Sequence, residues 1–246
     1  MDGCLTNCAQ AIQAAVDMNV DIISMSWSVK KPEETTEQKR EFDAALANAI
    51  KKGILMFCSS GDRGDLEDRD SYPGAYRHDK IFRVGAANSG GRGRDMTPNM
   101  AGLHYILPGQ EVLERRAKEL KPKSYNGSSV ATALASGLAA LVFHCIRVGA
   151  IYSQIATKEE QSKHRITLSE ADYIASRNPS KAVSYMARAF DQFGRNEINH
   201  RYIEVWNWLE HDPVIDENWR RWTAKERMAA IAKIGQGFVF ARQKAP

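Results

Sequence analysis

The chain has 246 residues, 43% of them hydrophobic and 26% charged, with a formal net charge of +4. That length and balance allow one sizeable α/β core plus an appendage, and they exclude a fibrous repeat or a disordered chain. So small a positive balance, spread along the chain, argues against nucleic acid as a partner, and residues 90–94 read as a solvated loop. Cys4, Cys8, Cys58 and Cys145 are too scattered for a disulfide framework or a metal set, which fits a reducing compartment. No metal or cofactor is expected, and with neither a leader nor an apolar run of spanning length in view, no membrane is expected as a partner.

Residues 5–18 carry Leu5, Ala9, Ile12, Ala15 and Val16 at helical spacing, and residues 20–26 follow as a short apolar run of the kind that forms a buried parallel strand. A turn rich in Pro and Glu leads to a second helix over 36–52, with Phe42, Ala45, Leu46, Ala49 and Ile50 on one face and Gly53 as its stop. Strands are predicted over 54–58 and 81–86, separated by a serine-rich and then acidic loop, with a short one over 105–107 stopped by Pro108 and Gly109. Strands separated in this way make βα units, so the sheet is predicted parallel with right-handed crossovers. A site then belongs at the carboxyl ends of the strands, at 26–29, 59–64 and the turn before Ser129.

Residues 124–142 join a polar turn directly to a helix that is apolar on nearly every side and predicted to end near 147–149. Ser128 is placed to cap that helix, Ser129 falls in its first turn, and Gly127 admits a close backbone approach. Unsatisfied N–H groups and the positive end of the helix dipole make that turn a good seat for a nucleophile; the plainer alternative is a serine-rich cap on a core helix. From residue 150 onward helical patterns dominate, with no strand-like run until Phe238, Val239 and Phe240. Asn178 is read as capping a helix through Phe190, and Tyr202, Val205, Trp206 and Leu209 as an apolar stripe. Trp219 and Trp222 precede a helix from Thr223 to Ile234 that Gly235 ends. The tryptophans serve either packing or a contact surface. The division expected is 1–149 and a helical extension, 150–246.

An ordered set of motifs over roughly residues 5–148 resembles the subtilisin-like serine peptidases. Residues 9–26 are similar to the helix and strand that end in Asn-Met-Ser, and residues 53–64 to the strand that ends in Gly-Asn-x-Gly. Tyr72-Pro73-Gly74 followed by Val84-Gly85-Ala86 resembles Tyr-Pro-Ala/Gly with Val-Gly-Ala, and Leu107-Pro108-Gly109 resembles Ala-Pro-Gly. Asn126-Gly127-Ser128-Ser129-Val130-Ala131-Thr132 is similar to the nucleophile motif Asn-Gly-Thr-Ser-Met-Ala-Ser. The wording after Gly127, with Asp at position 62, resembles an intracellular fungal branch whose peptidase domain is attached to larger multidomain proteins.

The resemblance implies an α/β three-layer sandwich with a parallel sheet, its N-terminal strands missing, and a serine endopeptidase acting on peptide or protein substrates inside the cell. Ser129 would be the nucleophile, its backbone N–H would form half of the oxyanion hole, and Asp62 stands where the family has the Asn that supplies the other donor. Ser26, Trp27 and Ser28, with Ser59, Ser60 and Gly61, match the strands that pair with an extended substrate, and Ser71 lies near the floor of its first specificity pocket. The family's catalytic Asp and His precede the matched region, and neither motif occurs here. His144 is fifteen residues from Ser129 in the sequence, about 22 Å along a helix, and the other histidines match no catalytic element. A serine without its base is a poor nucleophile, so this chain alone is expected not to turn over peptides. An ionised Asp62 would repel the oxyanion, so it could donate only when protonated. The acidic residues 65–70 are a solvated loop or a feature favouring basic substrates. A peptide-binding or regulatory module without catalysis is the alternative; an α/β-hydrolase is not, because no Gly-x-Ser-x-Gly elbow is present.

Overall fold

The computed structural model describes residues 2–33, 36–60, 71–88, 102–114, 123–197, 200–205 and 221–240, with backbone alone at 2–3, 195–197 and 200–201. The chain forms two compact units, Met1–Gly137 with Arg195–Tyr202 and Leu138–Gly194 with Ile203–Pro246.

The first unit opens with α1 (Asp2–Asp17), β1 (Ile22–Met25), α2 (Glu37–Lys51) and β2 (Leu55–Ser59), followed by β3 (Ile81–Ala87) and β4 (Tyr105–Pro108). Thr36 caps α2 by accepting the Lys39 N–H, and Gly53 leaves the helix at φ 75°, a left-handed turn that suits glycine. The pairs β1–β2, β2–β3 and β3–β4 are all parallel, with Met25 opposite Cys58 and Cys58 opposite Arg83. Asn48 Nδ2 donates to Gln13 Oε1 at 2.9 Å and Lys52 Nζ to the Val16 carbonyl at 2.8 Å, tying α1 to α2. Their apolar faces form one core with Met25, Met56, Cys58 and Tyr72. Alternation along the strands turns Phe57 and Phe82 to the opposite face, where their rings stack at 4.9 Å and Tyr105 follows 5.8 Å from Phe82.

Two strand pairs were not foreseen. β5 (Val112–Glu114) and β6 (Lys123–Tyr125) pair antiparallel. Beyond residue 150, where helical patterns dominate and no strand was expected before Phe238, β7 (Gly194–Glu197) and β8 (His200–Ile203) extend the main sheet to the order β1-β2-β3-β4-β8-β7, with Tyr202 opposite Ile106. Each strand of these pairs is short and carries at most two adjacent apolar residues, so neither pair shows the long apolar run that marked the central strands.

Between β6 and β7 lie α3 (Ser128–Ile155), α4 (Lys158–His164), α5 (Glu170–Ser176) and α6 (Ala182–Asp191), and α7 (Ala224–Val239) follows β8. α3 runs past the expected end to Ile155 because Gly149 faces Ala232 instead of stopping the helix. It is the one described helix long and apolar enough to cross a bilayer, at mean hydropathy 1.8 over its best window, so the expectation of no such run is corrected; 56% of that window is buried within the fold. In the second unit α7 likewise passes through Gly235 and takes in Phe238 and Val239, read before as strand-like. A Cβ on Gly235 would sit 2.4 Å from the Cys145 carbonyl oxygen, so this glycine serves close helix packing. Thr157, Ser169 and Thr223 open α4, α5 and α7 with capping boxes. Asn178 does not cap α6, whose N-cap is Lys181; its Oδ1 accepts the Ser180 N–H in a local turn. Of the expected aromatic stripe, Tyr202 lies in β8, while Trp206, Leu209 and Trp219 fall outside the described residues.

Candidate active site

The site is assembled at the carboxyl ends of β1 and β2, against the start of α3. Gly127 turns the chain at φ 123°, its N–H donates to the Gly109 carbonyl at 2.7 Å, and its own carbonyl accepts the Val130 N–H at 3.1 Å as α3 begins. Ser128 is thus the first residue of the helix and not the residue before it, and it is buried. Gly109 has no room for a side chain: a Cβ there would lie 2.5 Å from Ala86 Cβ and 2.8 Å from the Gly127 oxygen. Leu107-Pro108-Gly109 therefore braces the turn that carries Ser129. Asn126 adds a second brace, its Oδ1 accepting the Glu111 N–H at 2.8 Å. Below, the buried Thr132 and Ser136 hydroxyls bond back to the carbonyls of Ser128 and Thr132 at 2.8 and 2.9 Å.

Ser129 sits in the first turn of α3, half-buried, where backbone N–H groups lack carbonyls of their own helix and the dipole is positive. Its hydroxyl donates to the Ser26 carbonyl at 2.9 Å, and the Ser26 hydroxyl donates to the Ser129 carbonyl at 3.0 Å. The two residues, 103 apart in sequence, are thereby latched where β1 ends and α3 starts.

After Met25 and Cys58, the last paired residues of β1 and β2, the two strands part. Val29 exchanges two hydrogen bonds with Tyr72, at 2.9 and 2.8 Å, while the Ser60 N–H follows β3 and donates to Val84. The chain after Ser26 thus takes a different course from Ser59 and Ser60, at the carboxyl ends of the strands, which is where open α/β sheets bind ligands. Ser59, Ser60 and Ser71 are buried. Trp27 turns its ring toward α2, 6.0 Å from Phe42, and packs in the core. Gly61 and Asp62, the acidic residues 65–70 and the loop 90–94 lie outside the described residues.

Arg83 escaped the sequence reading. It interrupts the apolar run of β3, and a charge in a fully buried strand was the signal available. It is 4% exposed, and its Nη2 donates to Ser71 Oγ at 3.2 Å. Beside it, His104 Nδ1 accepts the Arg83 N–H at 3.0 Å and stacks on His78 at 4.3 Å. Burial, the neighbouring His78 and the Arg83 charge hold His104 down at about 4, so it is neutral. Burial pushes the Cys58 thiol up to about 12, against the pull of the Arg83 charge, so that cysteine is inert. Among the described residues no cluster of three metal-ligating side chains occurs.

The first unit thus sets a parallel sheet against a long helix that carries Ser129 in its first turn. The subtilase family model matches residues 2–147, and the chain belongs to that family. It is 31% identical to an intracellular serine protease of Paenibacillus polymyxa over 54% of this chain and 39% of that protein, and 31% identical to the major intracellular serine protease of Bacillus subtilis (strain 168) over 53% and 39%. Subtilisin BL of Lederbergia lenta is 29% identical over 57% of this chain and 48% of that one. The chain thus spans less than half the length of these relatives. In fold it is similar to the prenylagaramide maturation protease PagA, with TM-score 0.52 and 16% identity, covering 84% of this chain and 67% of that one. The self-cleaved protease domain of PatA gives TM-score 0.50 and 16% identity over 96% and 68%.

Proposed function

We propose that this chain is the C-terminal portion of a serine endopeptidase domain, with residues 150–246 as an extension. Ser129 is its nucleophile, and the Asp and His of the triad come from a part of the peptidase domain not contained in these residues. The observation that supports this best is the seat of Ser129, in the first turn of α3 and latched to the end of β1. A hydroxyl donating to a carbonyl is not activated; a nucleophile needs a base to take its proton. The 246 residues alone are therefore expected to be inactive. Ser26, Ser28, Ser59, Ser60 and Gly61 would flank an extended peptide substrate, and Ser71 would lie at the floor of the pocket. Asp62, with the Ser129 N–H, would face the oxyanion, which favours acidic conditions because only a protonated Asp donates. Two relatives named intracellular, with four free cysteines here, support a cytoplasmic location.

That same Ser129-to-carbonyl bond favours a second reading, a peptide-binding module without catalysis. Mapping the native amino terminus of the protein from its source, together with the coding DNA upstream, separates the two. In-frame Asp-x-Gly and His-Gly-Thr segments are expected; translation starting at Met1 would overturn the peptidase reading and leave the binding module.

A further inference from the structure

The first turns of α1 hold a pair of thiols that the site around Ser129 does not use. Cys4 and Cys8 are four residues apart on this helix, so its period sets them one above the other on the same face. Cys8 is half-buried, packed like Leu5 against the core that α1 and α2 share, while Cys4 is exposed. The two thiols meet: burial, and then the Cys4 thiol beside it, push the Cys8 thiol up, and a side-chain hydrogen bond joins them. One thiol is thus anchored in the fold and the other opens to solvent.

A disulfide fits this pair poorly. It needs Cβ atoms about 3.5–4.5 Å apart, whereas residues four apart on a helix hold theirs at about 5–6 Å. An ion between the sulfurs fits better, because two metal–sulfur bonds of about 2.3 Å, the length at zinc thiolates, reach further than one S–S bond of about 2.05 Å. Zinc itself takes three or four protein ligands, and among the described residues no group of three His, Cys, Asp or Glu side chains could hold a metal. Two thiolates alone suit a soft ion that accepts two ligands, and soft thiolate donors select Cu(I).

We propose that Cys4 and Cys8 form a site for one Cu(I) ion, a soft, thiophilic cation held between their two thiolates. Each thiol releases its proton to solvent as its sulfur–copper bond forms, no electron moves, and the complex carries one net negative charge. The first turns of α1 favour that charge, because the positive end of the helix dipole lies there. The exposed Cys4 gives the ion its way in.

The test supplies Cu(I) as its acetonitrile complex, without oxygen, to the reduced 246-residue chain in competition with the chromophoric chelator bathocuproine disulfonate. One ion per chain is expected, with thiolate-to-copper charge-transfer absorption in the ultraviolet. Cys4→Ser and Cys8→Ser are each expected to lower the affinity by more than the roughly hundredfold that loss of an outer-shell partner costs. Circular dichroism checks that each variant folds, and should Cys8→Ser fail, Cys4→Ser carries the test because its side chain is exposed. An excess of Zn2+ of about tenfold is expected to leave the copper in place. No uptake, one ion shared by two chains, or displacement by zinc overturns the proposal. So does uptake that is unchanged in Cys4→Ser, which would put the ion elsewhere in the chain.

Discussion

β1 and β3 belong to one sheet and read alike in sequence, yet they live in different surroundings. All seven residues of β3 are buried, whereas in β1 Ile22 and Ile23 are half-buried and Ser24 is exposed. Among the described residues β1 pairs with β2 alone. Two adjacent isoleucines of a covered strand therefore sit on one with little cover. The candidate site straddles this contrast, because Ser26 leaves the open strand while Ser59, Ser60 and Arg83 belong to the closed pair.

The contrast can be broken or sharpened by substitution. Phe82→Ala, in the aromatic row of the buried strands, is expected to cost about 4 kcal/mol, and Ile23→Ala on β1 only about 1 kcal/mol, read from denaturant midpoints at constant slope. Equal costs would mean that β1 is as well packed as β3. Gly109→Ala pushes a methyl into Ala86 and the Gly127 oxygen, and a loss of about 2 kcal/mol is expected from such overpacking. A neutral result would dismiss the brace beneath Ser129.

Acid should weaken the closed side. His104 titrates at about 4 in the fold and near 6.5 when unfolded, so the unfolded chain binds the extra proton between these values. Its share of stability is intact above about pH 6.5 and lost as pH falls toward 4, about 3 kcal/mol in all. Comparing denaturant midpoints at pH 7 and 4.5 in the wild type and in His104→Gln checks this, and an identical drop in both would exclude His104. The smallest effect is expected from Ser26→Ala, about 0.5–1 kcal/mol for one exposed hydrogen bond, with the start of α3 exchanging its amide protons faster.

Sequence carried the βα units well because apolar runs bounded by polar turns and glycines have few alternatives: Gly53 ends α2, and the strands expected over 54–58 and 81–86 lie at 55–59 and 81–87. It failed where pairing and packing decide. The short strands β7 and β8 pair with distant neighbours, and Gly149 and Gly235, which read as stops, are contacts between packed helices. Of the candidate site, the seat of Ser129 was legible from one motif, since a glycine turn before a small-residue helix fixes its geometry locally. The reciprocal bond with Ser26, and Arg83 behind Ser71, were not, because they join segments far apart in the chain.

The most direct measurement compares peptide hydrolysis by the intact polypeptide from its source, by the 246-residue chain, and by each carrying Ser129→Ala. A rate that depends on Ser129 in the intact polypeptide and is absent from the 246-residue chain is the expected result. Turnover by the chain alone that disappears in Ser129→Ala would contradict it, since these residues would then supply their own base. An intact polypeptide as active with alanine at position 129 as with serine would remove Ser129 from the chemistry altogether.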